Sequence, residues 1–247
     1  MTKNAIIFDA WMLNGSLLDC LEYYLYARSI GKEVTLILLE HSCFNVRKAI
    51  KDIVSDRYLA PNNWERGIVV WDTKTKLLTT EFDNIVVMDY TTLEHVPIMR
   101  GAKIHIIYDH QPSKAKLYRL LGAHDHVELY NEMPFGIGKH YLSKFAFTLY
   151  RKVGYTTGIF IDRKAGRHVK GHQKGLFDSF YTYRYVHDGT FDRRPRMMVE
   201  ACFYKKKMEY VNPNEVKDGS WYRWKDLQEN GIEHRSLTKN DEIMRIL

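Results

Sequence analysis

The sequence has little cysteine, little proline and no long apolar run, and each shortage removes a class of protein. Its three cysteines, Cys20, Cys43 and Cys202, are widely spaced and odd in number. Neither a disulfide framework nor a zinc site uses such a set. They read as reduced thiols, and no metal site is expected: His124 and His126 are close in sequence but lack a third nearby ligand. No stretch approaches the roughly 18–20 consecutive apolar residues of a membrane helix. Residues 1–10 enter a strand-like run without the basic, apolar and small-residue segments of an export leader. The expectation is a protein of the cytoplasm with no membrane span. Internal repeats and low-complexity tracts are absent. A complete G-x-G-x-x-G is missing too, which leaves a nicotinamide dinucleotide site without its fingerprint.

What is present is an ordinary globular composition, 45% hydrophobic and 27% charged over 247 residues. That length buries a core without disulfide or metal staples. A formal charge of +7 and a sequence pI near 9.1 favour a polyanionic partner, because excess Lys and Arg attract phosphate and release its counterions. A merely soluble basic surface accounts for the charge equally well.

Residues 4–10 form an apolar run ending near Gly15 and Ser16, and residues 17–30 place Leu17, Leu21, Tyr24, Leu25 and Arg28 at helical spacing before Gly31. With the β-branched run 33–39, this predicts a βαβ unit that opens a doubly wound sheet. Short runs at 67–71, 84–88, 103–108 and 127–130, with helix-compatible stretches at 45–54 and 113–121, bring the strand count to six. Runs this short and apolar predict parallel strands covered on both faces. Residues 131–140, NEMPFGIGKH, carry two glycines, a proline and no periodicity, and so predict a crossover loop and a domain boundary. The expected division is 1–140, 141–220 and a helical tail 221–247. Within the second part, helices are expected at 141–151 and 196–202, and strands at 157–161, 177–185 and 208–211.

Two stretches carry chemistry. Residues 190–212 hold Asp192 and Glu200 with seven residues between them. An apolar helical face (Met197, Met198, Ala201), a turn at 204–206 and a strand follow. Residues 159–171, IFIDRKAGRHVKG, run from a strand into a loop with Arg163, Arg167 and Lys170, closing on Gly171. Together and in this order they resemble the donor-binding segment of retaining GT-B glycosyltransferases. In that family two acids seven residues apart open a helix, and an earlier Arg and Lys clamp the donor diphosphate. The resemblance implies an α/β, GT-B-like fold, two Rossmann-like domains facing a cleft, with the second binding a nucleotide-sugar. It places Asp192 near the sugar and Glu200 on the ribose hydroxyls. Arg163 and Lys170 become the leaving-group pair, Arg167 the alternative arginine, and Arg196 a further donor contact. The sequence departs from the family in two places: Asp192 stands where Glu is usual, and Lys205, Lys206 and Lys207 occupy the turn where the family has Gly. Outside the resemblance, both stretches also read as solvated charge.

Other residues fit less specifically. Gly15 and Ser16 lie between the first strand and helix, where backbone amides face a ligand, and are expected in donor binding; a plain turn explains them as well. Asp9, Asp109 and His110 follow strands, at the edge where α/β ligands bind, and suit a general base. A helix cap suits Asp109 equally. Tyr183, Arg184, Trp221 and Arg223 interleave aromatic faces with cations, as contacts to a base or nucleotide ring do, and as core aromatics with snorkelling charges also do.

Within the family, the compactness and basic charge resemble the small bacteriophage enzymes that glycosylate hydroxymethylated cytosine in DNA. That implies a nucleoside-diphosphate sugar such as a UDP-sugar as substrate, no cofactor, double-stranded DNA as partner and the host cytoplasm as location. A cell-envelope glycan or lipid acceptor, and a noncatalytic nucleic-acid-binding module, stay open as alternatives.

Overall fold

The structure is a computed structural model. It describes residues 2–10, 15–39, 45–71, 82–88, 102–108, 127–131, 158–163, 176–189, 196–231 and 243–247. The first half contains β1 (Asn4–Asp9), α1 (Gly15–Ser29), β2 (Val34–Leu39), α2 (Val46–Arg57), β3 (Ile68–Trp71), β4 (Asn84–Met88), β5 (Lys103–Tyr108) and β6 (Val127–Asn131). These six strands are the six expected. They form one sheet in the order β3-β2-β1-β4-β5-β6, with every pairing parallel. This is the strand order of a doubly wound sheet, whose direction reverses between β1 and β4.

Alternation along the strands explains the two apolar faces. Ile6, Phe8, Leu36, Leu38 and Val86 point to the side covered by α1 and α2. Ala5, Ile7, Ile37, Leu39, Ile85 and Val87 gather on the other side with Trp71 and Ile104. Helix α1 is apolar around most of its girth: Leu17, Leu18, Leu21, Tyr24 and Leu25 are all fully buried, as expected of a helix packed on more than one side. It ends where Gly31 turns left-handed at φ 80°. There the amides of Gly31 and Lys32 close on the carbonyls of Arg28 and Ala27 at 3.2 and 3.0 Å, capping the last turn. Helix α2 begins at Asn45, whose side chain accepts from the Lys48 amide at 3.0 Å.

The second half holds β7 (Ile159–Arg163), β8 (Thr182–Val186), α3 (Arg196–Phe203), β9 (Lys207–Val211) and α4 (Gly219–Asn230). Its strands form a three-stranded parallel sheet, β7-β8-β9. Phe160, Tyr183, Tyr185, Met208 and Tyr210 point toward α3 and α4 and build a third core with Met198, Val199, Ala201 and Leu227. The expected strand at 177–185 proves shorter. A 3-10 turn, Leu176–Asp178, precedes β8, and the Gly158 carbonyl accepts from the amides of Tyr181 and Thr182 at 2.6 and 3.0 Å.

The expected tail is divided between the halves. Leu227 and Trp224 of α4 pack in the third core, whereas Ile243, Met244 and Leu247 complete the first. Asn4 donates to the Leu247 carbonyl at 2.8 Å, and Lys32 donates to that of Met244. Among the described residues no helix is long and apolar enough to cross a membrane. The expected crossover loop, 131–140, and the helices at 113–121 and 141–151 lie outside the described residues, apart from Asn131.

Candidate functional site

The carboxyl ends of β7, β8 and β9 lie side by side, with Arg163 opposite Val186 and Val186 opposite Val211. Ligands of parallel α/β sheets bind at this end of the strands. After β7 the chain enters 164–175, which carries Arg167 and Lys170. After β8 it passes His187, Asp188 and Gly189 into 190–195, which carries Asp192, and returns as α3 at Arg196. Arg167, Lys170 and Asp192 lie outside the described residues, as do Asp109, His110 and Cys43. The backbone of Arg163 ends β7 and that of Arg196 opens α3.

A buried polar cluster secures this edge. His187, just past β8, sets its Nε2 3.0 Å from Asp218 Oδ2, and both side chains are buried. The other ring nitrogen, Nδ1, accepts from the Gly189 amide at 3.0 Å. That bond assigns the proton of the neutral ring to Nε2, which donates to Asp218. The second oxygen of Asp218 accepts from the Ser220 amide, the Ser220 hydroxyl and the Trp221 amide at 3.0, 2.7 and 3.3 Å. One carboxylate thus caps α4 and, through His187, holds residues 187–189 beyond the end of β8. Gly189 sits at φ 85°, a region favourable to glycine. Neither His187 nor Asp218 was singled out from the sequence, although Asp218 before Gly-Ser is a legible cap.

Helix α3, the chain reversal after it and β9 match the expected helix, turn and strand. The turn closes through the Lys205 and Lys206 amides on the Cys202 and Ala201 carbonyls, both at 3.0 Å, with Lys205 left-handed at φ 55°. A lysine therefore holds the backbone conformation that glycine adopts most readily. Lys206 packs over the Phe180 ring, 5.4 Å from its centroid. Burial lowers its pKa, and nearby Asp178 opposes that shift.

Glu200 requires a correction. Its side chain is wholly buried and forms an ion pair with Arg57 at the end of α2, in the other half of the molecule. The Arg57 guanidinium also lies 5.8 Å from the Phe177 ring centroid, and Tyr204 packs against both the first and third cores. A carboxylate enclosed here and engaged by a guanidinium does not present itself to a ribose. Arg57 is the partner the sequence did not reveal.

Two of the four expected DNA contacts are also corrected. The Tyr183 ring is 0% exposed and its hydroxyl donates to Asp162; Arg223 is 1% exposed. Neither offers a face to a nucleobase. Arg184 points the other way along β8 and binds Glu209 at 2.6 Å, with Lys207 on the second oxygen at 3.0 Å. These bonds, the one from Arg184 foremost, hold the Glu209 carboxyl below its ordinary pKa. Trp221 is partly exposed, with the Lys217 and Lys225 ammonium groups 5.5 and 6.0 Å from its ring centroid.

In the first sheet, Asp9 ends β1 at the reversal point and is 7% exposed. Gly15 and Ser16 open α1 just beyond it. Cys20 is enclosed in α1, and burial raises its thiol pKa well above the ordinary value, so the thiol is kept from reacting. Among the described residues no three His, Cys, Asp or Glu side chains gather to hold a metal ion.

No protein-family model matches the chain, and no curated protein matches it. The edge of β7-β8-β9 is the candidate site on its own geometry: three adjacent strand ends and a carboxylate-imidazole pair that holds residues 187–189 beyond β8.

Proposed function

We propose that the chain is a glycosyltransferase of the GT-B type, its two Rossmann-like halves facing a cleft, with the nucleoside-diphosphate sugar bound at the carboxyl edge of β7-β8-β9. One observation carries the reading: Arg163 and Val186, after which the sequence continues to Asp192, are register partners at the same end of neighbouring parallel strands. Arg163 with Lys170, or Arg167, neutralises the diphosphate as it leaves. Asp192 faces the sugar. The ribose role is not carried over to Glu200.

In the proposed reaction an acceptor hydroxyl oxygen bonds to the anomeric carbon, the bond from that carbon to the diphosphate oxygen breaks, and the hydroxyl proton passes to a base. Asp9, Asp109 or His110 would take it where the displacement inverts the anomeric carbon, and the departing diphosphate would take it where the configuration is retained. The acidic pattern resembles the retaining branch. The acceptor we propose is a hydroxymethylated base of double-stranded DNA, a partner that the +7 charge favours.

The test is incubation with a panel of nucleotide-sugars and hydroxymethylated DNA, followed by mass analysis of the nucleosides. A hexose or pentose adduct is expected, reduced by about two orders of magnitude or more in Asp192→Ala and Arg163→Ala. Absence of any adduct, together with no thermal stabilisation by nucleoside diphosphates, would sink the proposal and leave a noncatalytic nucleic-acid-binding module.

A further inference from the structure

The two ring nitrogens of His187 have opposite roles. Nε2 donates to Asp218 Oδ2 at 3.0 Å, and Nδ1 accepts from the Gly189 amide at 3.0 Å. A ring nitrogen accepts only while it carries no proton, and an imidazolium donates from both. Protonation of this buried ring therefore sets two N–H groups against each other at Gly189. Nε2 keeps Asp218, in a bond that now joins opposite charges. The second Asp218 oxygen stays on the α4 cap.

The charges in this part of the molecule leave Asp218 as the counter-ion of the ring. Lys217, beside it in the chain, lies over Trp221. Asp188, which follows His187, and Arg223, in the second turn of α4, are engaged by other groups. Glu215 is exposed, in the turn that brings Asn214 beside Gly189. From β9 it is the Val211 carbonyl that reaches His187, accepting from its backbone amide at 2.8 Å.

We infer that His187 is a pH-sensitive latch at the carboxyl end of β8. With the ring neutral, residues 187–189 are held by the bond from the Gly189 amide; with the ring protonated, Gly189 is released while β8, β9 and the α4 cap stay in place. The released amide belongs to a glycine at φ 85°, the residue type with the most backbone conformations open to it. The latch lies at the edge where parallel sheets bind ligands, and it does not rest on the transferase reading.

Nitrogen-15 NMR of the histidine rings and backbone amides of the full chain tests it, between about pH 8 and about pH 5, where imidazole ordinarily changes charge. At the upper end His187 is expected to carry its proton on Nε2 alone. As the ring takes a second proton, protection of the Gly189 amide against hydrogen exchange is expected to fall at least about fivefold, with the same midpoint. The His187 amide is expected to keep its protection. His187→Asn retains an oxygen that accepts from the amide two positions on but has no titrating ring, and in it the loss at Gly189 is expected to disappear. A proton on Nδ1 at the upper end, a ring that takes no second proton in the folded chain, or one that does so without change at Gly189 overturns the inference. So does a loss that persists in His187→Asn. Should that variant not fold, the titration of the native chain decides. Every one of these outcomes leaves the transferase proposal as it stands.

Discussion

Lys205 sits at a left-handed backbone position after α3 without the freedom of glycine, and that conformation costs an L-residue about 1–2 kcal/mol. Lys205→Gly is therefore expected to stabilise the protein by up to about 1 kcal/mol, after the greater unfolded-state entropy of glycine is subtracted. A higher urea midpoint with an unchanged slope would bear this out. Gly67 has the opposite constraint. A Cβ there would stand 2.5 Å from the Tyr24 hydroxyl and 2.8 Å from the Val34 carbonyl oxygen. Because the second neighbour is backbone, Gly67→Ala is expected to destabilise by about 1–3 kcal/mol, readable in the same melts. Glu209 gives a pH dependence. Its folded-state pKa is depressed by Arg184 and then Lys207, so its contribution is fully present above the unfolded value of about 4.3 and is lost as pH falls from there through the lower folded value. Glu209→Gln should flatten the acid limb of the stability profile, and an unchanged limb would refute the assignment.

At the scale of elements, the pair between α2 and α3 separates two meanings of Glu200. Removing one partner of a buried ion pair strands the other charge and costs about 3–5 kcal/mol, whereas replacing both with apolar residues is often near neutral. Glu200→Gln is expected to lower stability sharply, and Arg57→Met/Glu200→Met to recover much of the loss. Were Glu200 instead a ribose ligand, Glu200→Gln would weaken donor binding and leave the melt in place. The six strands of the first sheet were legible because each is a short apolar run with its own boundaries. The Arg57–Glu200 contact was not, because its partners are 143 residues apart and no local pattern links them. Tyr183 and Arg184 show a related blindness: adjacent on β8, they face opposite ways, so composition identified an aromatic-basic cluster without saying which member lies inside. Helix α4 starts at Gly219, ahead of the expected helical tail 221–247, because Asp218 supplies the cap.

At the scale of the whole molecule, the first core gathers residues from both ends of the chain. Ile243, Met244 and Leu247 pack with residues of β1, β2, α1 and α2. Removing residues 243–247 is expected to destabilise the protein by several kcal/mol, since three buried side chains contribute about 1.5–3 kcal/mol each; urea unfolding of the truncated chain measures it. Synthesis runs in one direction, however. Residues 1–88 leave the ribosome about 155 residues ahead of Ile243, an interval of roughly 8–30 s at ordinary elongation rates. Throughout it the nascent chain carries an uncovered seam beside α1, a natural place for a chaperone to hold.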